Sequence, residues 1–251
     1  TYALELTDTG AFSVNRNSIN AISVAASVAV GIGGEVGVAV SGAGAVAQNV
    51  ILSRTNAFAQ NSVVDSAGDV TLSASSTSTI SSAVVAVSAA VGGGAATAGV
   101  GASIGVAVAR NFIGWTPGAS IETPAQVRAY LMDSSVHTDG VLTQTAVAGQ
   151  TINSTVVSGS VAVGGGFWAG VAASGAGVYA ENKIGVDVKS FISGDRSSGI
   201  TGISADSITL KASDDSNIHA VAAAVSVSLA GGFVGASLSV GVSLARNTIT
   251  S

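Results

Sequence analysis

Bulky and small side chains alternate along residues 21–47. Ile22, Val24, Ala26, Val28 and Val30 share one parity, and Ala21, Ser23, Ala25, Ser27 and Ala29 share the other. Past a glycine cluster, Val36, Val38, Val40 and Val46 alternate with Gly37, Ala39, Ser41 and Ala45. The last stretch repeats the pattern with Val221, Val225, Val227 and Leu229, then Leu238, Val240, Val242 and Leu244. A period of two predicts strands, because successive side chains point to opposite faces. Glycine and β-branched content argue against helix. The valine side is expected to be buried. Segments 21–47, 82–108, 154–180 and 220–244 carry one charged residue, Glu35, so the small side is expected to be covered too. Ala and Gly would let it approach another sheet or a neighbouring chain more closely than the usual ~10 Å.

The stretches are copies. The motif A-x-N-x-I recurs as AQNVI (47–51), ARNFI (109–113), AENKI (180–184) and ARNTI (245–249). It places Asn49, Asn111, Asn182 and Asn247 at spacings of 62, 71 and 65 residues. A degenerate NRNSI at 15–19 precedes the first copy. Glycine clusters at 31–34, 92–94, 164–166 and 231–232 lie upstream of the four copies. Before the last three clusters come DVTLSAS (69–75), GVLTQTA (140–146) and DSITLKAS (206–213), and Ile80, Ile152 and Ile218 follow at a constant distance. Fixed cores with variable connectors are the mark of a repeat architecture. The modules read as 20–79, 80–151, 152–217 and a partial 218–251, after 1–19 as the end of a preceding module. Residues 114–131 and 185–205 read as insertions outside the pattern.

An all-β fold follows, and the expected form is a β-solenoid of modules of about 62–71 residues. Stacking would turn the four asparagines into a ladder of side-chain amides. The alternative is a long-stranded antiparallel meander or sandwich, with the glycine clusters as hairpin turns.

Composition narrows the function. The net charge is −5 and no basic stripe exists, which argues against a nucleic-acid partner. Cysteine is absent, so disulfides and thiolate chemistry are excluded. No run of about 18 apolar residues escapes interruption by Gly or Ser, which argues against a membrane helix. The chain opens at Thr1 without a leader pattern, as a mature product or an excised fragment would. Neither Thr1–Leu6 nor Arg246–Ser251 reads as a polar cap, so further modules or stacked copies of the same chain are expected as partners.

Small-residue blocks broken by GGG, followed by A-x-N-x-I and then G-D-V-T-L-S-A-S, resemble the repeats of giant bacterial surface proteins. These are the filamentous-haemagglutinin-like and leukotoxin-type filamentous adhesins, and the likeness covers residues 15 to 251. It implies an exported, elongated β-helical stalk at the bacterial cell surface, in an adhesion or cell-contact role. It carries over no catalytic residue. A membrane-associated β-barrel or pore-forming segment is the alternative, weakened by missing aromatic girdles.

Site chemistry is sparse, and no enzyme activity and no cofactor are expected. Ser103 centres a G-x-S-x-G (101–105), but it falls mid-strand rather than on a strand-to-helix turn. The glycine clusters complete no phosphate-binding motif. Asp214 and Asp215, with Asp206 nearby, read as a solvated turn rather than a calcium site. His137 and His219 lack a second ligand at useful spacing, and the sequon at Asn153 carries little weight. Trp115, Tyr130, Phe167 and Trp168 are candidate contact aromatics for a neighbour or a cell-surface glycan.

Overall fold

The computed structural model describes residues 9–118, 123–194 and 202–251. Thr1–Leu6 lies outside the described residues, as do parts of 114–131 and 185–205. The described chain is all-β and makes three circuits and part of a fourth along the same path. The first comprises β1 (Thr9–Asn15), β2 (Ser18–Gly33), β3 (Val36–Ile51), β4 (Arg54–Gln60) and β5 (Val63–Ser66). The second comprises β6 (Val70–Ser76), β7 (Thr79–Gly94), β8 (Ala98–Ile113), β9 (Ala125–Met132) and β10 (Ser135–Thr138). The third runs through β11 (Val141–Ala148), β12 (Thr151–Gly166), β13 (Ala169–Ser193) and β14 (Ile203–Ser204). The fourth has β15 (Ser207–Asp214), β16 (Asn217–Gly231) and β17 (Val234–Thr250).

Each strand pairs in parallel with its equivalent in the next circuit, so the antiparallel meander is not what this chain forms. The sheet orders are β1-β6-β11-β15, β14-β10-β5, β16-β12-β7-β2 and β3-β8-β13-β9-β4, with β17 on β13. β13 runs unbroken from the β8 sheet into the β9 sheet and joins the two. Residues 125–132 therefore belong to the repeat: they pair in register with 186–193, and 126–132 pair with 54–60. The sequence reading placed 125–131 in an insertion because the connector before them hides their offset.

Each circuit has two parts. The short strands and the strand ends enclose an aliphatic core around Leu72, Ile80, Ile113, Leu131, Leu142, Ile152 and Ile184. Isoleucines stack through it: Ile19, Ile80, Ile152 and Ile218 form one column, and Ile51, Ile113 and Ile184 another, which ends on the exposed Ile249. From this base the long strands project as a two-layered slab, with β2, β7, β12 and β16 facing β3, β8, β13 and β17.

The slab reverses the expected faces. Its interior is Ala, Ser and Gly, with Val84, Val156 and Val178 only at its foot. The aliphatic side points outward: Ile22 is 77% exposed, Ile32 is 83%, and Val24, Val28, Val30, Val36, Val38 and Val40 are exposed with them. The valine face was expected inside. The cause of the inversion is glycine. A Cβ on Gly31, Gly92 or Gly164 would stand 1.9 Å from the carbonyl oxygen of Val38, Val100 or Val171 in the facing strand. A Cβ on Gly37, Gly99 or Gly170 would stand 2.0, 2.1 or 2.2 Å from Gly93, Gly165 or Gly231. The layers meet backbone to backbone, a separation only the small side permits. What covers the small side is this chain's own second layer.

Candidate functional site

Three groups of residues stand out: polar columns inside the slab, charged and aromatic ladders near its foot, and the outer faces.

A-x-N-x-I lies at the foot of each descending long strand, so in-register pairing brings its asparagines into one column. Asn49 Nδ2 donates to Asn111 Oδ1 at 2.8 Å, Asn111 to Asn182 at 2.8 Å, and Asn182 to Asn247 at 2.9 Å. Asn111 and Asn182 are fully buried. Asn111 Nδ2 also reaches Ser82 Oγ at 2.9 Å in the facing layer. Buried amides must be paired, and the repeat supplies the partner from the next circuit.

Two facing serine columns lie higher in the slab, and the sequence reading missed them. Ser27, Ser88, Ser160 and Ser226 run up one layer, and Ser41, Ser103, Ser174 and Ser239 up the other. Hydroxyls meet across the gap in Ser27–Ser41 (2.6 Å), Ser88–Ser103 (2.7 Å) and Ser226–Ser239 (2.7 Å), while Ser160 donates to the Ser103 carbonyl at 2.8 Å. The signal was present: each of the first three serines stands the same distance before the first glycine of its cluster. Ser103 is thus a buried ladder residue.

On the outer face, one residue before each asparagine, Glu181 sits between Arg110 and Arg246 in register. It pairs with Lys183 at 3.0 Å and Arg110 at 3.4 Å. Asp187 pairs with Arg128 and, at 2.9 Å, with Lys189. Burial alone would raise both carboxyls. Lys183 and Arg110 overcome this at Glu181, and Arg128 and Lys189 at Asp187, holding both below the usual carboxylate range. A carboxyl lowered by folding contributes stability that is complete above its unfolded value, near 4, and is lost as pH falls through the folded value. The urea midpoint is therefore expected to be flat from neutral pH to about 5 and to fall below about 4. Combining Glu181→Gln with Asp187→Asn should flatten part of that fall. An identical fall in the double variant would assign the acid sensitivity elsewhere.

The candidate aromatics part company. Tyr130 is half-buried in a stack between Phe58 and Phe191, with ring centroids 5.2 and 5.0 Å away. Phe167 and Trp168 are exposed at the slab tip, in edge-to-face contact with each other, and Trp168 also meets Phe233. Trp115 lies at the foot, where Lys183 Nζ stands 5.0 Å from its ring. It lines a recess of about 190 Å³ with Arg110, Phe112, Thr116, Glu181 and Lys183.

The remaining candidates stay apart. His137 is half-buried in β10, His219 is exposed in β16 beside Asn153, and Asp206 is exposed before β15. Asp214 accepts a hydrogen bond from Ser216, which ties down the turn. Among the described residues no group of three or more His, Asp or Glu is placed to hold a metal ion. The long strands' outward sides remain the largest unpartnered feature of the described molecule. Comparison with protein-family models, curated proteins and solved structures finds no match to this chain.

Proposed function

We propose that this chain is a β-solenoid scaffold segment of a large exported bacterial surface protein, non-enzymatic and acting in cell contact as an elongated stalk. What supports this reading is the strand-for-strand register across four circuits, in which buried polar columns are occupied by contacts between circuits. Such a stack rises ~4.8 Å per circuit, so its reach scales with repeat number while its width stays constant. Its partners are further modules or copies of the same protein, with a partner cell or its surface glycan at the far end. In cells that produce the protein, immunogold label against this segment is expected on the outside of intact cells. Label seen only after permeabilisation would overturn the reading.

The outward aliphatic faces favour a second reading, a membrane-associated or pore-forming segment. That reading expects the purified chain to float with phosphatidylcholine vesicles and to release an entrapped dye.

A further inference from the structure

The outer face of β3, β8, β13 and β17 is charge-free from the tip down to the row Gln48, Arg110, Glu181 and Arg246. Four strands about 4.8 Å apart and eleven residues at ~3.3 Å make a face of about 700 Å². That exceeds the apolar patches usual on monomers, roughly 300–600 Å². It approaches the ~800 Å² that each partner of a stable complex buries.

We infer that this face pairs with the same face of a second copy, about a two-fold axis running parallel to the strands between β8 and β13. The inference deepens the self-association within the reading above. Its test leaves the protein's location in the cell untouched, so the two can fail separately.

The relief of the face carries the argument. Along one row across the strands stand Gly42, Ile104, Gly175 and Val240, and along the next inward-outward repeat stand Gly44, Val106, Gly177 and Val242. In these two rows holes occupy the first and third circuits and knobs the second and fourth. These glycines differ from those inside the slab. A Cβ on Gly44 or Gly175 would meet nothing within 4 Å, and on Gly42 or Gly177 only an ordinary contact at 3.9 or 4.0 Å. Nothing within the chain requires them, although glycine within a strand weakens it. The two-fold operation reverses the order of circuits and keeps height along the strands. It sets Ile104 over Gly175 of the second copy and Val240 over Gly42, each contact occurring twice, as an isologous interface demands. At the foot the same operation sets Arg110 opposite Glu181 of the second copy.

A bilayer is the rival occupant of an apolar face. It fits less well, because fluid hydrocarbon has no use for the holes at Gly42, Gly44, Gly175 and Gly177, which the side chains of a second copy fill.

Sedimentation of the purified chain without detergent tests the inference. The wild-type chain should be dimeric by about 100 µM. Filling the holes with Gly42→Val, Gly44→Val, Gly175→Val and Gly177→Val should weaken association roughly 100-fold, because overpacking an interface is costly. The strand spectrum should stay unchanged and the melting temperature equal or higher. Gly159→Val on the opposite outer face should leave association unchanged. If the four-fold variant fails to fold, Ile104→Lys, on a side chain already 60% exposed, reads the same contact. A monomeric wild type, or undiminished association in the variants, would overturn the pairing. So would vesicle flotation abolished by the variants, which would assign the face to lipid.

Discussion

Gly92→Ala should cost about 3 kcal/mol or more, while Gly93→Ala, one residue away, should stabilise by about 0.4–1 kcal/mol. The two glycines look alike in sequence, within one GGG cluster. A Cβ on Gly92 would lie 1.9 Å from the Val100 carbonyl oxygen, with the Val100 carbon and nitrogen at 2.4 and 2.9 Å. All three are backbone atoms of a strand paired on both sides, so relief requires the layers to separate. Separation would in turn lengthen the serine bridges. At Gly93 the new methyl would meet nothing within 4 Å, and the backbone is already extended. Against a total stability of about 5–15 kcal/mol, the first change is severe and the second a small gain. Urea midpoints with unchanged slope measure both. Equal effects at the two positions would mean that the layers are not in backbone contact.

Asn111→Leu should cost about 2–5 kcal/mol. Asn111 accepts from Asn49 and donates to Asn182 and Ser82, all by buried groups. Leucine keeps the branching at Cγ, but its methyl groups are bulkier than the amide atoms, so overpacking adds to the loss of the hydrogen bonds. Asn49 Nδ2 and Asn182 Oδ1 would each stay buried and lose a partner. Asn20→Leu, at an exposed position of β2, should stay within about 0.5 kcal/mol of wild type. The same urea titration reads both. A loss at Asn111 no larger than that at Asn20 would show that the amide column contributes no stability.

The circuits were legible because vertical stacking demands the same residue at the same place each time. Ala74, Ala146 and Ala212 keep their distance to Ile80, Ile152 and Ile218, and these residues pair strand to strand. The facing of the slab was not legible. A period of two separates Val24 from Ala25 but does not say which points inward. Burying the bulkier side is the usual rule, and here it fails because glycine contacts such as Gly37 on Gly93 draw the layers too close for valine between them. Such proximity involves residues far apart in sequence. The Phe58–Tyr130–Phe191 stack was hidden for another reason: Phe58 and Phe191 each stand nine residues after their asparagine, but a longer connector puts Tyr130 nineteen after Asn111.

The amide column has a direction. Asn49, Asn111 and Asn182 each donate through Nδ2 to the Oδ1 of the asparagine in the later circuit, the series ending on Asn247. The small dipoles therefore add along the stack, and chains of such bonds polarise one another. One end presents an acceptor at Asn49 and the other a donor at Asn247, so the stack has chemically distinct poles. Head-to-tail joining continues the series, whereas head-to-head joining sets like against like.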